Sequence, residues 1–151
     1  MREKAKILIV DDDETVRLSY LRSLSGACRS VEAAWNGDVA VRAMETKPFD
    51  VVLLDLRMPG TDGMSVLGTI KERWPEVEVV VITGYPSIET AKKAVQLGAY
   101  DYLAKPVGPA EVINAADGAM TKKRWTLREE RAGATGPLTG RRNKPRLAET
   151  R

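Results

Sequence analysis

Apolar residues fall along this chain in short runs, separated by segments of a different period. The runs at 7–10, 51–54, 77–82 and the shorter 100–104 are almost continuous, with a weaker one at 29–35. Runs of this length, rich in β-branched residues and stopped by turn chemistry, predict strands covered on both faces. Between them the apolar positions lie three and four apart. They are Val16, Tyr20 and Leu24 with Leu21 beside them; Ala40, Ala43 and Met44; Met64, Leu67, Ile70 and Trp74; Ile88, Ala91 and Val95; and Ile113, Ala116 and Met120. That spacing predicts five helices.

Strict alternation of strand and helix, with strands too apolar to leave a wet face, implies a doubly wound α/β fold. Its sheet is parallel, with helices on both sides and right-handed crossovers. Sheets of this kind take ligands outside the carboxyl ends of their strands. Punctuation agrees with these elements. Gly26, Gly37 and Gly98 stand near helix boundaries, Ser87 after Pro86 suits an N-cap, Trp74-Pro75 closes the third helix, and Gly118 weakens the last one.

A length of 151 residues suits one domain and leaves no room for a second catalytic one. No signal-like start and no apolar run near the roughly 20 residues of a membrane span occur, so a cytoplasmic protein without membrane contact is expected. The chain has no histidine and one cysteine, Cys28. Ser-His-Asp and Cys-His triads and imidazole metal ligands are thereby excluded, and Cys28 is expected to be a small core residue. A metal would have to be held by oxygen, which favours magnesium, calcium or manganese over zinc.

The formal charge of +3 is unevenly spread. From Arg128 onward seven Arg or Lys face three Glu, a surplus of four, which leaves everything before it near −1. After about Leu127 the chain is rich in Gly, Pro and charge and loses its periodicity, so a flexible basic tail over 128–151 is expected, following a domain at 1–127. A tail of about 24 residues without helical pattern cannot build a helix-turn-helix reader, and nucleic acid is not expected as a partner of this chain alone.

The polar residues at the predicted strand ends are Asp11-Asp12-Asp13, Asp55, Thr83 and Lys105-Pro106. Carboxylates gathered at one edge repel unless a cation joins them, and a hard dication such as magnesium binds through one or two carboxylates together with phosphate oxygens. Asp12 and Asp55 could each give an oxygen and Asp11 could hold a metal-bound water. Asp13 is read equally well as the cap of the first helix. A lysine in such a site is explained if a further anion, phosphate, is bound.

Four segments in register, ILIVDDDETVR at 7–17, VVLLDLRMPGTDGM at 51–64, VVITGY at 80–85 and GAYDYLAKPV at 98–107, make the chain resemble the receiver domain of two-component response regulators. The resemblance runs from Lys6 to about Leu127. It implies a five-stranded flavodoxin-like sheet of order 2-1-3-4-5, for which a receiver domain is itself a standard example. It further implies that Asp55 accepts a phosphoryl group, that Asp11, Asp12, Asp55 and the backbone carbonyl of Arg57 hold Mg²⁺, and that Thr83 and Lys105 contact the phosphoryl oxygens. Tyr102 would follow Thr83 in the switch, and Lys105-Pro106 would be cis. The implied partners are a sensor histidine kinase or histidine phosphotransfer protein and a downstream protein on the face of the fourth helix, fifth strand and fifth helix, with homodimerisation on phosphorylation a further outcome. Such a protein is a switch of bacterial-type signalling rather than an enzyme, although it assists its own phosphorylation and dephosphorylation.

Arg57 and Tyr85 flank the site at positions that vary in this family and tune water attack on the acyl phosphate; both are bulky here. Tyr100 and Tyr102, two apart, are expected on one face, and Tyr100 is expected to pack. Trp35, Trp74 and Trp125 are read as packing or rim residues. Other readings carry less. A regulatory fragment of a longer DNA-binding transcription factor is the alternative. An aspartyl-nucleophile phosphatase would want an acid where Arg57 stands, and a dinucleotide binder lacks its G-x-G-x-x-G after the first strand.

Overall fold

The computed structural model describes residues 4–26 and 28–135. The apolar runs form the strands β1 (Ala5–Val10), β2 (Arg29–Ala34), β3 (Val51–Leu54), β6 (Glu78–Thr83) and β7 (Asp101–Ala104). All pair in parallel in the order β2-β1-β3-β6-β7. In chain order this is 2-1-3-4-5, as the sequence implies. Val51 to Leu54 are essentially inaccessible, because successive strand side chains point to opposite faces and both faces are covered.

The covers are α1 (Glu14–Leu24), α2 (Gly37–Thr46), α3 (Gly63–Arg73), α4 (Ile88–Gln96) and α5 (Pro109–Thr135). Tyr20 and Leu24 of α1 and Val112, Ala115, Ala116 and Ala119 of α5 close over Ile7, Ile9, Val51, Leu53, Val80 and Ile82. Ala40 and Met44 of α2, Val66, Leu67 and Ile70 of α3, and Ala94 of α4 close over Leu8, Val10, Val52, Leu54, Val79 and Val81. Each strand alternates between the two cores, which fixes its register: a slip by one residue would exchange every partner.

Side-chain caps start four helices just past the carboxyl edge. Asp13, Asn36, Asp62 and Ser87 each accept backbone N–H groups of the following turn, a substitution that costs about 1 kcal/mol when such a cap is lost. Between β3 and α3 the chain makes a two-residue antiparallel ladder that the sequence did not signal, β4 (Arg57–Met58) with β5 (Thr61–Asp62). It turns at Gly60, whose φ of +70° suits glycine.

Several expectations need correction. The spacing of Ile88, Ala91 and Val95 is helical, but Ile88 and Val95 are exposed, and Ala94 is the fully buried residue of α4. Tyr100 and Tyr102 pack against opposite cores, because β7 begins only at Asp101 and the two-residue period does not reach back to Tyr100. Cys28 is exposed rather than in the core. Helix α5 continues through Leu127 to Thr135, and the remainder of the expected tail, 136–151, lies outside the described residues. Gly118 has a packing reason, since a Cβ there would stand 2.5 Å from the Tyr100 hydroxyl oxygen. Trp74 packs at the core margin, whereas Trp35 and Trp125 are more than half exposed.

Candidate functional site

The parallel order carries the ends of β1, β3, β6 and β7 to one edge. Asp11 follows β1, its amide donating to Ala34 O, and Asp55 follows β3, its amide donating to Val10 O. These ladder bonds place the two acids side by side. One oxygen from each of Asp11, Asp12 and Asp55 lies within 4.8 Å of the others; Asp11 and Asp55 are buried and Asp12 is exposed.

Lys105, just after β7, is shared by the two buried acids. Its Nζ donates to Asp11 Oδ2 at 2.9 Å and to Asp55 Oδ2 at 3.3 Å. The remaining oxygens are met by backbone: Asp13 N–H donates to Asp11 Oδ1 at 2.9 Å and Arg57 N–H to Asp55 Oδ1 at 3.2 Å. Arg17 of α1 donates to the Asp11 carbonyl at 2.9 Å, a contact that nothing in the spacing of the sequence signals. Lys105-Pro106 is cis.

Burial pushes the Asp55 carboxyl above its ordinary value; the Arg57 N–H opposes this, Asp11 adds to it and Lys105 opposes it. Burial pulls the Lys105 ammonium down, but its bonds and charge interactions with Asp11 and Asp55 outweigh that and leave it raised. Tyr20, packed beneath, is raised chiefly by burial. Three carboxylates against one lysine leave a negative surplus, and the donors are hard oxygens. The residues therefore fit a hard dication of the magnesium class.

Thr83 ends β6 fully buried, and its Oγ1 accepts from the Tyr85 amide at 3.1 Å. Tyr102 sits in register beside Val81. Its hydroxyl oxygen accepts from the Ser87 amide at 3.2 Å and shares a hydrogen bond with the Thr90 hydroxyl. The partners of Tyr102 are thus in the first turn of α4. Ser87 was legible as a cap, while Thr90 was not legible as its neighbour. The Arg57 guanidinium lies over the Tyr85 ring, 4.2 Å from its centroid, so the two bulky flanking residues touch. Asp13 caps α1 and stands outside the carboxylate cluster.

Among the described residues no helix is long and apolar enough to cross a membrane. The sequence profile of the response regulator receiver domain matches residues 7–117. The DNA-binding transcriptional regulator NtrC of Salmonella typhimurium is 33% identical over 137 residues, which are 91% of this chain and 29% of that protein. NtrC of Klebsiella pneumoniae is 40% identical over 113 residues, 75% of this chain and 24% of its own length. The chain therefore spans less than a third of the length of these relatives. Among solved structures, a CheY-like receiver domain protein from Methanospirillum hungatei superposes with a TM-score of 0.79 at 26% identity, covering 82% of this chain and 99% of that one. The receiver domain of NtrX from Brucella abortus superposes at 0.72 with 35% identity, covering 76% and 98%. Profile, relatives and fold agree with the acidic edge of the sheet, and the chain belongs to the response regulator receiver domain family.

Proposed function

We propose that Asp55 is the phosphoacceptor of this receiver, with Asp11, Asp12 and the Arg57 carbonyl completing a magnesium site and Lys105, Thr83 and Tyr102 carrying the response. The observation that carries this reading is stoichiometric: two buried carboxylates, Asp11 and Asp55, share a single lysine, and a third, exposed one stands beside them.

Phosphoryl transfer asks for in-line positioning and neutralised equatorial oxygens more than for a strong nucleophile. An Asp55 oxygen attacks phosphorus, the O–P bond forms, and the N–P bond of a donor phosphohistidine breaks with its electron pair leaving on the imidazole. With no histidine in this chain, the donor is another protein, a sensor kinase or phosphotransfer protein; acetyl phosphate is a chemically competent small donor. Magnesium, when bound, neutralises charge on the carboxylates and the incoming oxygens. Lys105 pairs with a phosphoryl oxygen, and Thr83, whose oxygen already accepts from Tyr85, donates its hydroxyl proton to another.

The phosphoryl group brings roughly −1.5 to −2 charge. Movement of Thr83 toward it vacates space for Tyr102, which leaves Ser87 and Thr90 and alters the face of α4, β7 and α5 where a downstream protein binds. The exposed Ile88 and Val95 on α4 support that face as a contact surface. Thr83→Ala is expected to take up phosphate but to lose the partner response; an intact response would count against the switch. The receiver unit is taken as 1–127, in a cytoplasmic setting.

A second reading, a regulatory piece of a longer DNA-binding regulator, is favoured by the small share of the NtrC relatives that the chain spans. The length of the full gene separates the two. The chemistry is tested by incubation with acetyl phosphate and magnesium followed by intact-mass measurement: the wild type gains one phosphoryl group and Asp55→Asn gains none. A variant adduct equal to the wild type's would remove Asp55 from the proposal.

A further inference from the structure

We propose that Arg57 is a second phosphoryl-binding cation, stored over the ring of Tyr85 in the resting state and moved onto the phosphoryl oxygens once Asp55 is acylated, which releases the β6–α4 loop. The proposal rests on the phosphoacceptor reading and adds a residue and a regulated contact to it.

Position is the first argument. Arg57 lies two residues after Asp55, and its amide already donates to Asp55 Oδ1. Its long side chain therefore starts beside the carboxylate and reaches the Tyr85 ring on the other side of the mouth.

Charge is the second. Asp11, Asp12, Asp55, Lys105 and a bound dication cancel. Acylation replaces the single charge of Asp55 by a phosphoryl charge of roughly −1.5 to −2, so up to one negative charge is left over. Lys105, which bridges Asp11 and Asp55 and pairs with the phosphoryl group on its arrival, is already counted in that balance, and Arg17 is committed to the Asp11 carbonyl. The Arg57 guanidinium is held by a ring that is 65% exposed. An exposed cation–ring contact shifts an equilibrium by only about two- to fivefold, whereas a guanidinium pairs with phosphate through two parallel charge-assisted bonds. The phosphoryl group therefore wins the competition.

Connectivity is the third. The Tyr85 amide donates to Thr83 Oγ1, so the residue that releases Arg57 also holds the hydroxyl that must move. One anion, drawing Arg57 from the ring and Thr83 from the amide, would free the same short segment at both ends.

Arginine side-chain NMR on the full chain tests this, with beryllofluoride and Mg²⁺ as the stable phosphoryl mimic. In the free protein the Arg57 Nε–H proton is expected to be ring-shifted upfield, and Tyr85→Leu should abolish that shift. Addition of the mimic should remove it in the wild type, and Arg57→Gln should bind the mimic about tenfold more weakly, with Arg57→Lys recovering part of the loss. A ring shift that survives in the mimic-bound wild type, or unweakened binding by Arg57→Gln, overturns the proposal while leaving Asp55 in place. Absence of any mimic-induced change around Asp55 overturns the phosphoacceptor reading itself, and the role of Arg57 with it.

Discussion

The two ends of the central sheet both carry acids and lysines, and they use them differently. At the amino edge, Asp50 accepts from Lys123 Nζ on one oxygen and from the Lys6 amide on the other. Glu78 faces Lys122 at 3.6 Å. Each of these carboxylates faces a lysine of its own from α5, and the pairs hold the far part of α5 against the bases of β3 and β6. At the carboxyl edge three carboxylates meet one lysine. Carboxylates that each have their own lysine make a fastening, while a surplus of one sign makes a site that gains when a cation or a group-transfer partner arrives. Burial alone does not distinguish them, since Glu78 is as buried as Asp11.

The largest expected effect lies at the carboxyl edge. Lys105→Met should slow phosphorylation by acetyl phosphate by about 10²-fold or more, the scale of losing one preorganised cation from a charge-developing site; intact-mass time courses measure it. Lys123→Met should do the reverse, costing about 2 kcal/mol in denaturant unfolding through a stranded Asp50 while leaving the phosphorylation rate within about twofold, a margin well inside one 1.4 kcal/mol decade. Similar losses of rate in both variants would erase the distinction between fastening and site.

Next in size is a stability gain. Because burial raises Asp55, the folded protein holds that proton more tightly than the unfolded chain. Stability without metal is therefore expected to fall as pH rises from the ordinary aspartate value of 3.8 through the raised one. Asp55→Asn removes the buried charge, and its melting temperature at neutral pH should exceed the wild type's by a few degrees, the equivalent of about 1 kcal/mol. An unchanged or lower melting point would mean that Lys105 fully compensates Asp55.

The smallest effect concerns the mouth of the site. The bulky side chains of Arg57 and Tyr85 at that mouth are expected to hinder attacking water whether or not they touch each other, so the acyl phosphate should outlast that of Arg57→Asn combined with Tyr85→Ala by a few-fold. Dephosphorylation followed by mass after donor removal decides it; faster loss from the wild type would show that the two side chains do not shield the phosphoryl group.

Much of this is legible in the sequence. The runs at 7–10 and 51–54 could only be doubly covered strands, and the polar residues closing each run had to meet at one edge once the sheet was parallel. The failures have a common cause. Ile88 and Val95 have the spacing of a core stripe, yet small Ala94 is what fits under α4, because the space between helix and sheet is set by neighbours distant in sequence. Tyr100 lies outside β7, so strand alternation did not apply to it. Around Leu127 the sequence loses its periodicity, which predicts an end there, but a helix already anchored by Val112, Ala116 and Lys123 can propagate to Thr135 at little cost per residue.

By itself the sequence determined the succession of strands and helices, the fold class and the roster of acids, hydroxyl and lysine at the strand ends, since these follow from local period and turn chemistry. The tertiary structure decided how the charges pair. That Lys105 bridges Asp11 and Asp55, that Lys123 neutralises Asp50, that Tyr102 bonds to Ser87 and Thr90, and that Arg57 rests on Tyr85 all depend on segments brought together by parallel pairing and helix packing. Such distances are properties of the assembled sheet, and no window of the chain contains them.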